Sequence, residues 1–587
     1  MAPLLRLKPY LLKYKPILFW GLLTVVGSNL FTVVQPLLVG RAIDILKSGI
    51  ELHSIDESGI LRYALVIVGL SLVAGVFTFL TRQTLIVMSR HIEFDLRNDF
   101  LSHIQQLPLA YFQNTPTGDL MAHATNDISS VRNALGPGIM YPTDTMMTFI
   151  MVLAMMLYKD WKLTLLALIP LPVVSYAVYK LGKIIHEKFE ERQAQFSALT
   201  TRAQENLSGI RIVKAYVREK YEIDLFNTMS IDYLKKNLVL ARAQSVMWPL
   251  MFLLVGFSLI ITLYYGGRQV ISGTISIGTL TAFFGYLTML IWPMIAFGWV
   301  VNLLQQGAAS MHRLTKILDT KPDIADSDST DYSVHSIKGD ILFRNVSFTH
   351  KNASHPTLKN INLHIKQGTT IALVGYTGSG KSTFVNLIPR LYEATGGEIF
   401  VDGIDIKKIP LNILRSNIGY VPQETFLFSD SLKENISYGI DNGSMDHVLE
   451  AAKISQIAND IKEFPQEFET MLGERGITLS GGQKQRTSIA RSVMRNPKIL
   501  ILDDALSAVD TYTEEEILKR LREVMKDRTS IIISHRISTV KLADEIIVLN
   551  NGEIAERGSH EELVTLGGIY AELHTKQLLE EELEHLS

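Results

Sequence analysis

The chain contains no cysteine. That excludes disulfides, zinc–thiolate sites and a cysteine nucleophile. It also lacks a surplus of either charge, with 57 Lys and Arg against 59 Asp and Glu. A nucleic-acid-binding surface is strongly basic, so no nucleic-acid partner is expected. At 587 residues it is too long for one hydrophobic core, and at least two domains are expected. The basic N-terminus (Arg6, Lys8, Lys13, Lys15) leads into an apolar run as long as a membrane span, with no small-residue cleavage site after it. That run is read as an anchor rather than a cleaved leader.

What the first half does have is long apolar runs. A helix needs about 20 mainly apolar residues to cross the hydrocarbon core. Six stretches qualify: Ile17–Gly40, Tyr63–Leu80, Ala134–Tyr158, Leu163–Tyr179, Val246–Tyr265 and Ile275–Leu303. Several carry proline (Pro36, Pro137, Pro142, Pro170, Pro172, Pro249, Pro293), which membrane helices tolerate when neighbours satisfy the freed carbonyls. The connections Thr81–Asn133 and Lys180–Ser245 are long, helical in pattern and rich in Lys and Arg. The positive-inside rule places them and both termini in the cytosol. Asp144 lies inside one apolar run and Arg82 near the end of another. Intramembrane ionisable residues are costly and face a cavity or a partner, so Asp144 is expected to face the bundle interior. Aromatic and methionine residues of the spans (among them Met140, Met151, Trp292, Met294, Phe297 and Trp299) can line an apolar cavity or pack between helices.

From about Gly339 the pattern changes to short apolar runs alternating with helical stretches, the mark of an α/β domain. Expected strands are Ile341–Phe348, Thr370–Val374, Glu398–Val401, Ile499–Leu502, Ser530–Ile533 and Glu545–Leu549. The strand ending at Val374 runs into Gly375, Tyr376, Thr377, Gly378, Ser379, Gly380, Lys381, Ser382 and Thr383, a complete GxxxxGKS phosphate loop before a helix. Its glycines let backbone N–H groups curl around phosphate oxygens. Lys381 supplies charge to the outer phosphates and the Ser382 hydroxyl is a Mg²⁺ ligand. A later apolar strand ends in Asp503, the acid that such a loop needs for its metal.

Between these two motifs stands Leu479-Ser480-Gly481-Gly482-Gln483. With a phosphate loop before it and an acidic strand after it, this LSGGQ run resembles the signature of ABC transporters. The resemblance covers the whole chain, because ABC exporter halves are six spans followed by one nucleotide-binding domain. It implies an all-α six-helix transmembrane domain with long cytosolic extensions, then an α/β P-loop ATPase domain with a helical subdomain. The corresponding boundaries are 1–318 for the membrane domain, 319–338 for a linker, 339–576 for the ATPase domain and 577–587 for a tail. It implies ATP and Mg²⁺, a second half-transporter as partner, the bilayer, and a small amphipathic or lipid-like substrate exported by alternating access. It places the chain in the cytoplasmic membrane as a multi-pass protein.

The resemblance also assigns residues. Gln423 matches the loop that senses the outer phosphate and Mg²⁺; Ser382, Gln423 and Asp503 are then the metal ligands. Gly473-Glu474-Arg475-Gly476 resembles the exporter X-loop, Ser507–Asp510 the D-loop, and His535 the switch histidine. Tyr111-Phe112 and Ser208-Gly209-Ile210 resemble the two coupling regions. Ser480, Gly481, Gly482 and Gln483 would serve the ATP bound by another chain.

Two positions depart from the family pattern. The adenine-stacking tyrosine is replaced by His350. The glutamate that follows the acidic strand, the general base in the family, is Asp504 here. A base needs hydrogen-bond reach of about 2.6–3.2 Å, and the shorter side chain draws the carboxylate back. With an intact signature, that combination resembles the degenerate subunit of heterodimeric exporters. The alternatives are a homodimer that uses Asp504 as its base, or an ATP-gated regulator or channel.

Overall fold

The computed structural model describes residues 2–53, 57–351, 353–441, 443–473, 476 and 478–586. The chain divides into two units, one of residues 2–103 and Gly118–Asp319, the other of Ile104–Thr117 and residues 320–586.

The first unit is helical. Among the described residues, five helices are long and apolar enough to cross a membrane: Lys15–Glu51, Glu57–Gln106, Thr117–Lys159, Glu219–Ile271 and Ile277–Leu318. They carry five of the six expected runs. The other run, Leu163–Tyr179, falls across two helices, Trp161–Leu168 and Pro170–Ser208. The break falls at Pro170, whose missing N–H and ring suit a first helical turn. Pro137 likewise starts the segment Pro137–Lys159 of the third of these spans, whereas Pro36, Pro142 and Pro249 lie inside helical segments. The long connections are helical, as their periodicity predicts. Helices Pro170–Ser208 and Glu219–Ile271 run side by side, with Asn206 donating to Glu222 at 2.7 Å and Lys236 to Gln195 at 3.1 Å. The N-terminal residues pack on the same unit: Lys13 pairs with Asp95 at 2.6 Å and Tyr10 donates to Asp99 at 2.5 Å. Asp144 is half-buried and accepts from Asn29 of the first long helix, so it faces a neighbouring helix; Arg82 is exposed.

The second unit is built on two sheets. One is antiparallel in the order β2-β1-β4-β5, with β1 Ile341–Phe348, β2 Leu358–Ile365, β4 Gly396–Val401 and β5 Ile404–Asp405. The other has the order β10-β9-β3-β8-β7-β6. Its strands are β3 Thr370–Val374, β6 Ile418–Val421, β7 Ile499–Asp503, β8 Thr529–Ile533, β9 Glu545–Asn550 and β10 Glu553–Gly558. Five of them, β9, β3, β8, β7 and β6, are parallel. Strands β3, β7 and β8 are buried along their full length, and such strands read as continuous apolar runs. All six expected strands are present, four of them one or two residues longer. The four-residue β6 and the edge strands β2, β5 and β10 are additions.

A separate apolar cluster that includes Leu427, Ile436, Val448, Ile461 and Leu479 holds a helical subdomain. The helix Gly481–Met494 leaves this subdomain toward the sheet, contributing Ala490 and Met494 to its core and Ile489 to that around β7. The expected linker has no regular secondary structure, yet its acids bond within the second unit. Asp323 pairs with Lys351 at 2.7 Å and Asp326 accepts the Leu411 N–H at 2.9 Å. The expected tail from residue 577 is the end of a helix, Ile569–Leu586. Tyr111 and Phe112 lie on the helix Leu109–Asn114, which belongs to the second unit, where Ala110 packs against the sheet core. Ser208 to Ile210 form a helix junction in the first unit, followed by exposed Ile212, Tyr216 and Val217.

Candidate nucleotide site

The parallel order β3-β8-β7 sets three loops beside one another at the C-terminal strand ends, where open α/β sheets bind ligands. The phosphate loop follows β3, the acid pair closes β7, and His535 lies two residues beyond β8. The register makes this explicit: Asp503 pairs with Ile533, and the Asp504 N–H donates to the Ile533 carbonyl at 2.9 Å. Thr377, Gly378, Gly380, Lys381, Ser382 and Thr383 line one pocket of about 240 Å³ together with Thr357, Gln423, Asp503, Asp504, Ile533 and His535. Residues far apart in the chain thus converge on one pocket.

The loop geometry follows from its glycines. Gly378 and Gly380 have φ of +83° and +102°, which L side chains rarely adopt. The Lys381 ammonium reaches back to the carbonyls of Gly375 at 2.8 Å and Tyr376 at 3.0 Å. Burial holds its pKa below the usual lysine value, against the pull of Asp503 and Asp504. The Ser379 hydroxyl is buried with no partner. Asp503 is 2% exposed; burial pushes its pKa up, its hydrogen bond to Ser382 opposes that, and Asp504 adds to the rise. A buried cation, a hydroxyl, an amide and a carboxylate pair thus face one cavity. This oxygen-rich set fits a hard divalent cation beside phosphate oxygens.

Asp504 itself is half-buried with φ +50°. Non-glycine residues are uncommon there, and Asp is among those enriched. Its carbonyl accepts from Gln485 at 3.3 Å and from Ser507 at 3.0 Å. Gln485 also accepts the Ala508 N–H at 2.8 Å, so the helix after the LSGGQ run is bonded to both the acid pair and the D-loop-like segment.

Ser480, Gly481, Gly482 and Gln483 do not line this pocket. Ser480 caps the helix Gly481–Met494 in a reciprocal box: its hydroxyl accepts the Gln483 N–H at 3.3 Å and its N–H donates to Gln483 Oε1 at 3.0 Å. Gln483 also donates to Asp460 at 3.0 Å. A Cβ at Gly482 would stand 2.8 Å from the Ala508 carbonyl, so this glycine also answers to packing.

His350 is likewise outside the pocket lining. Its ring stands edge-on to Phe348 at 4.8 Å and to Tyr392 at 5.3 Å. Tyr376 points to the C-terminal helix, where it hydrogen-bonds Glu572. Glu474 and Arg475 of the X-loop-like segment lie outside the described residues. Sequence reasoning missed Gln485, Glu514 and Arg536, which tie these loops together; the position of Gln485 in the helix after LSGGQ was the available signal.

The fold and pocket define a P-loop ATPase joined to a helical membrane unit. Comparison with known proteins gives the family. Residues 18–294 match the family model described as ABC transporter transmembrane region, and residues 358–507 the one described as ABC transporter. The chain is 39% identical over 573 residues to the Bacillus subtilis protein named "Probable multidrug resistance ABC transporter ATP-binding/permease protein YheI", covering 97% of this chain and 96% of that one. It is 37% identical over 519 residues to the ATP-dependent lipid A-core flippase of Syntrophus aciditrophicus, covering 88% and 86%. A bacterial Atm1-family ABC exporter with ATP bound superposes with a TM-score of 0.79 at 27% identity, covering 96% of this chain and 98% of that one. The chain belongs to the ABC transporters, as an ATP-driven exporter half: a helical membrane region followed by one ATPase domain. Such exporters work as dimers in the bilayer.

Proposed function

We propose that this chain is the degenerate half of a heterodimeric exporter, moving a small amphipathic or lipid-like molecule out across the cytoplasmic membrane. Six spans carry the substrate path, the ATPase domain and N-terminus are cytosolic, and the two ATP sites are unequal. The observation that carries the reading is Asp504, a short carboxylate one residue beyond β7, in a chain whose signature helix keeps its full capping box. The multidrug and lipid names of the relatives support the substrate class.

In this scheme the backbone N–H groups of Gly378 to Lys381 and the Lys381 ammonium bind the outer phosphates of ATP. Ser382, Gln423 and Asp503 would hold Mg²⁺, which neutralises phosphate charge when bound. His350 lies against the adenine end, and His535 reaches the outermost phosphate. Asp504 orients the attacking water, but from too far back: a misplacement of about 1 Å costs on the order of 10²-fold. This site therefore binds ATP and turns it over slowly. Ser480 and Gly482 complete the partner's site, which carries turnover. Binding closes the dimer, and the helical arms ending near Tyr111 and Gly209 pass that closure to the spans.

Two measurements test the proposal: ATP-dependent uptake of a lipophilic dye into inside-out vesicles, and the ATPase rate of the purified complex. Absence of dye uptake defeats the export reading. Loss of all activity on Asp504→Asn defeats the unequal sites and favours a homodimer with Asp504 as base.

A further inference from the structure

The membrane unit contains a carboxylate that the ATPase chemistry does not use. Asp144 lies ten residues into the apolar run from Ala134, about 15 Å along the helix axis. That depth is near the middle of a hydrocarbon core about 30 Å thick. Asn29 lies equally near the middle of its own run, Ile17–Gly40. The two meet: Asn29 Nδ2 donates to Asp144 Oδ1 at 2.7 Å, and Thr148, one turn further on, donates its hydroxyl to Asn29 Oδ1. Asn29 is 4% exposed and also donates to the Val25 carbonyl at 3.0 Å, so its amide is fully used and fixed.

This arrangement orients the carboxylate without neutralising it. Its partner is an uncharged amide, and among the described residues no Lys, Arg or His forms an ion pair with Asp144. A charge at this depth costs several kcal/mol and persists where it meets a partner or a water-filled path. Asp144 is only partly buried. One turn before it on the same helix face, Tyr141 packs edge-on to Trp299 of helix Ile291–Leu318, with ring centroids 5.0 Å apart. Trp299 is 47% exposed. A carboxylate beside accessible aromatic rings is the chemistry that holds an organic cation, through ion pairing and cation–π attraction.

We propose that Asp144, oriented by Asn29 and flanked by Tyr141 and Trp299, is the subsite that selects a lipophilic cation as transported substrate. This rests on the export reading and names the substrate charge for it. The carboxylate replaces part of the cation's lost hydration midway through the bilayer, and the rings cover its apolar body. A neutral molecule of the same shape gains only the rings.

The test compares two probes on the purified, lipid-embedded complex without nucleotide: the tetraphenylphosphonium cation and neutral triphenylphosphine oxide. Equilibrium dialysis gives both affinities for the unaltered protein, Asp144→Asn and Asp144→Glu. Asp144→Asn keeps the side-chain shape and its bond with Asn29. The expected result is a loss of at least about tenfold for the cation and less than about threefold for the neutral probe, with Asp144→Glu keeping most cation affinity. Equal losses for both probes would make Asp144 a packing or subunit-pairing residue and overturn the subsite, as would no loss for either. If Asp144→Asn does not assemble, Asp144→Glu and Trp299→Leu decide: Trp299→Leu must weaken the cation more than the neutral probe. Failure of vesicle uptake for every dye would instead defeat the export reading, an outcome that dialysis does not report.

Discussion

Glu514 and Arg536 join the segment after the acid pair to the loop that carries His535. Glu514 is 2% exposed, near the start of helix Thr511–Met525, and accepts from Arg536, from Thr539 at 2.8 Å and from Ser538 at 3.1 Å. Arg536 also donates to the Val509 carbonyl at 3.1 Å. The D-loop-like turn and the His535 loop are thereby tied to one buried carboxylate. Only Glu514 of the pair is buried; the Arg536 side chain is 34% exposed, so water takes up the guanidinium when the carboxylate is removed. Glu514→Ala is expected to destabilise the protein by about 1–2 kcal/mol, through the acceptor that the buried Thr539 hydroxyl loses, visible as a lower melting temperature of the purified protein. Arg536→Lys should lose less, because it keeps the charge but not the forked contact.

The unequal-site proposal gives a rate prediction. Ser480→Ala removes a helix cap worth about 1 kcal/mol, which the fold should tolerate. It should nonetheless cut ATPase activity of the complex at least about tenfold, since it removes a hydroxyl from the productive site. Asp504→Asn should leave more than about half of the activity. Steady-state phosphate release reads both. If the two variants are equally inactive, the sites are equivalent.

Asp504→Glu tests the backbone as well as the chemistry. At φ +50° Asp is favoured over a longer side chain, so the change should cost about 0.5–1 kcal/mol. Turnover at this chain's own site should rise if reach is what limits it. Single-turnover hydrolysis in a complex whose partner site is disabled would show the gain; no gain would mean that the partner's signature is also altered.

Gly482→Ala should behave unlike Ser480→Ala. The added methyl meets the Ala508 carbonyl at 2.8 Å and must displace backbone. Overpacking of this kind costs about 1–3 kcal/mol. A fall in melting temperature is expected with the loss of activity, and hydrogen exchange at Ala508 should increase because its bond to Gln485 is disturbed.

A pH effect is expected at the C-terminal end of the ATPase unit. His560 Nδ1 lies 2.7 Å from the Tyr570 hydroxyl, and burial, helped by Lys541 and His574, lowers its pKa below the usual value. A lowered histidine pKa means that the unfolded chain binds the proton more tightly. The stabilisation is therefore complete above about pH 6.5 and declines as pH falls below it. Melting at pH 5.5 and 7.5 should show a smaller difference for His560→Gln than for the unaltered protein.

Much of this molecule is determined locally. The division into membrane and ATPase halves follows from run length, because only a span needs about 20 apolar residues in succession. Strands β3, β7 and β8 were legible because strands buried on both faces must be apolar throughout, and the phosphate loop because its glycines stand between a strand and a helix. Contacts across the fold were not legible. Glu514, Glu515 and Glu516 are consecutive, and only the phase of the helix against the core around Ile517 and Leu521 buries the first and leaves its neighbour Glu515 exposed. Gly482 reads as a phosphate contact until the approach of Ala508 gives it a second, steric cause. The meeting of Asn29 with Asp144, 115 residues apart, depends on which faces of two membrane helices are turned together. Helical periodicity sets the faces available on each helix; the packing of neighbouring helices chooses between them.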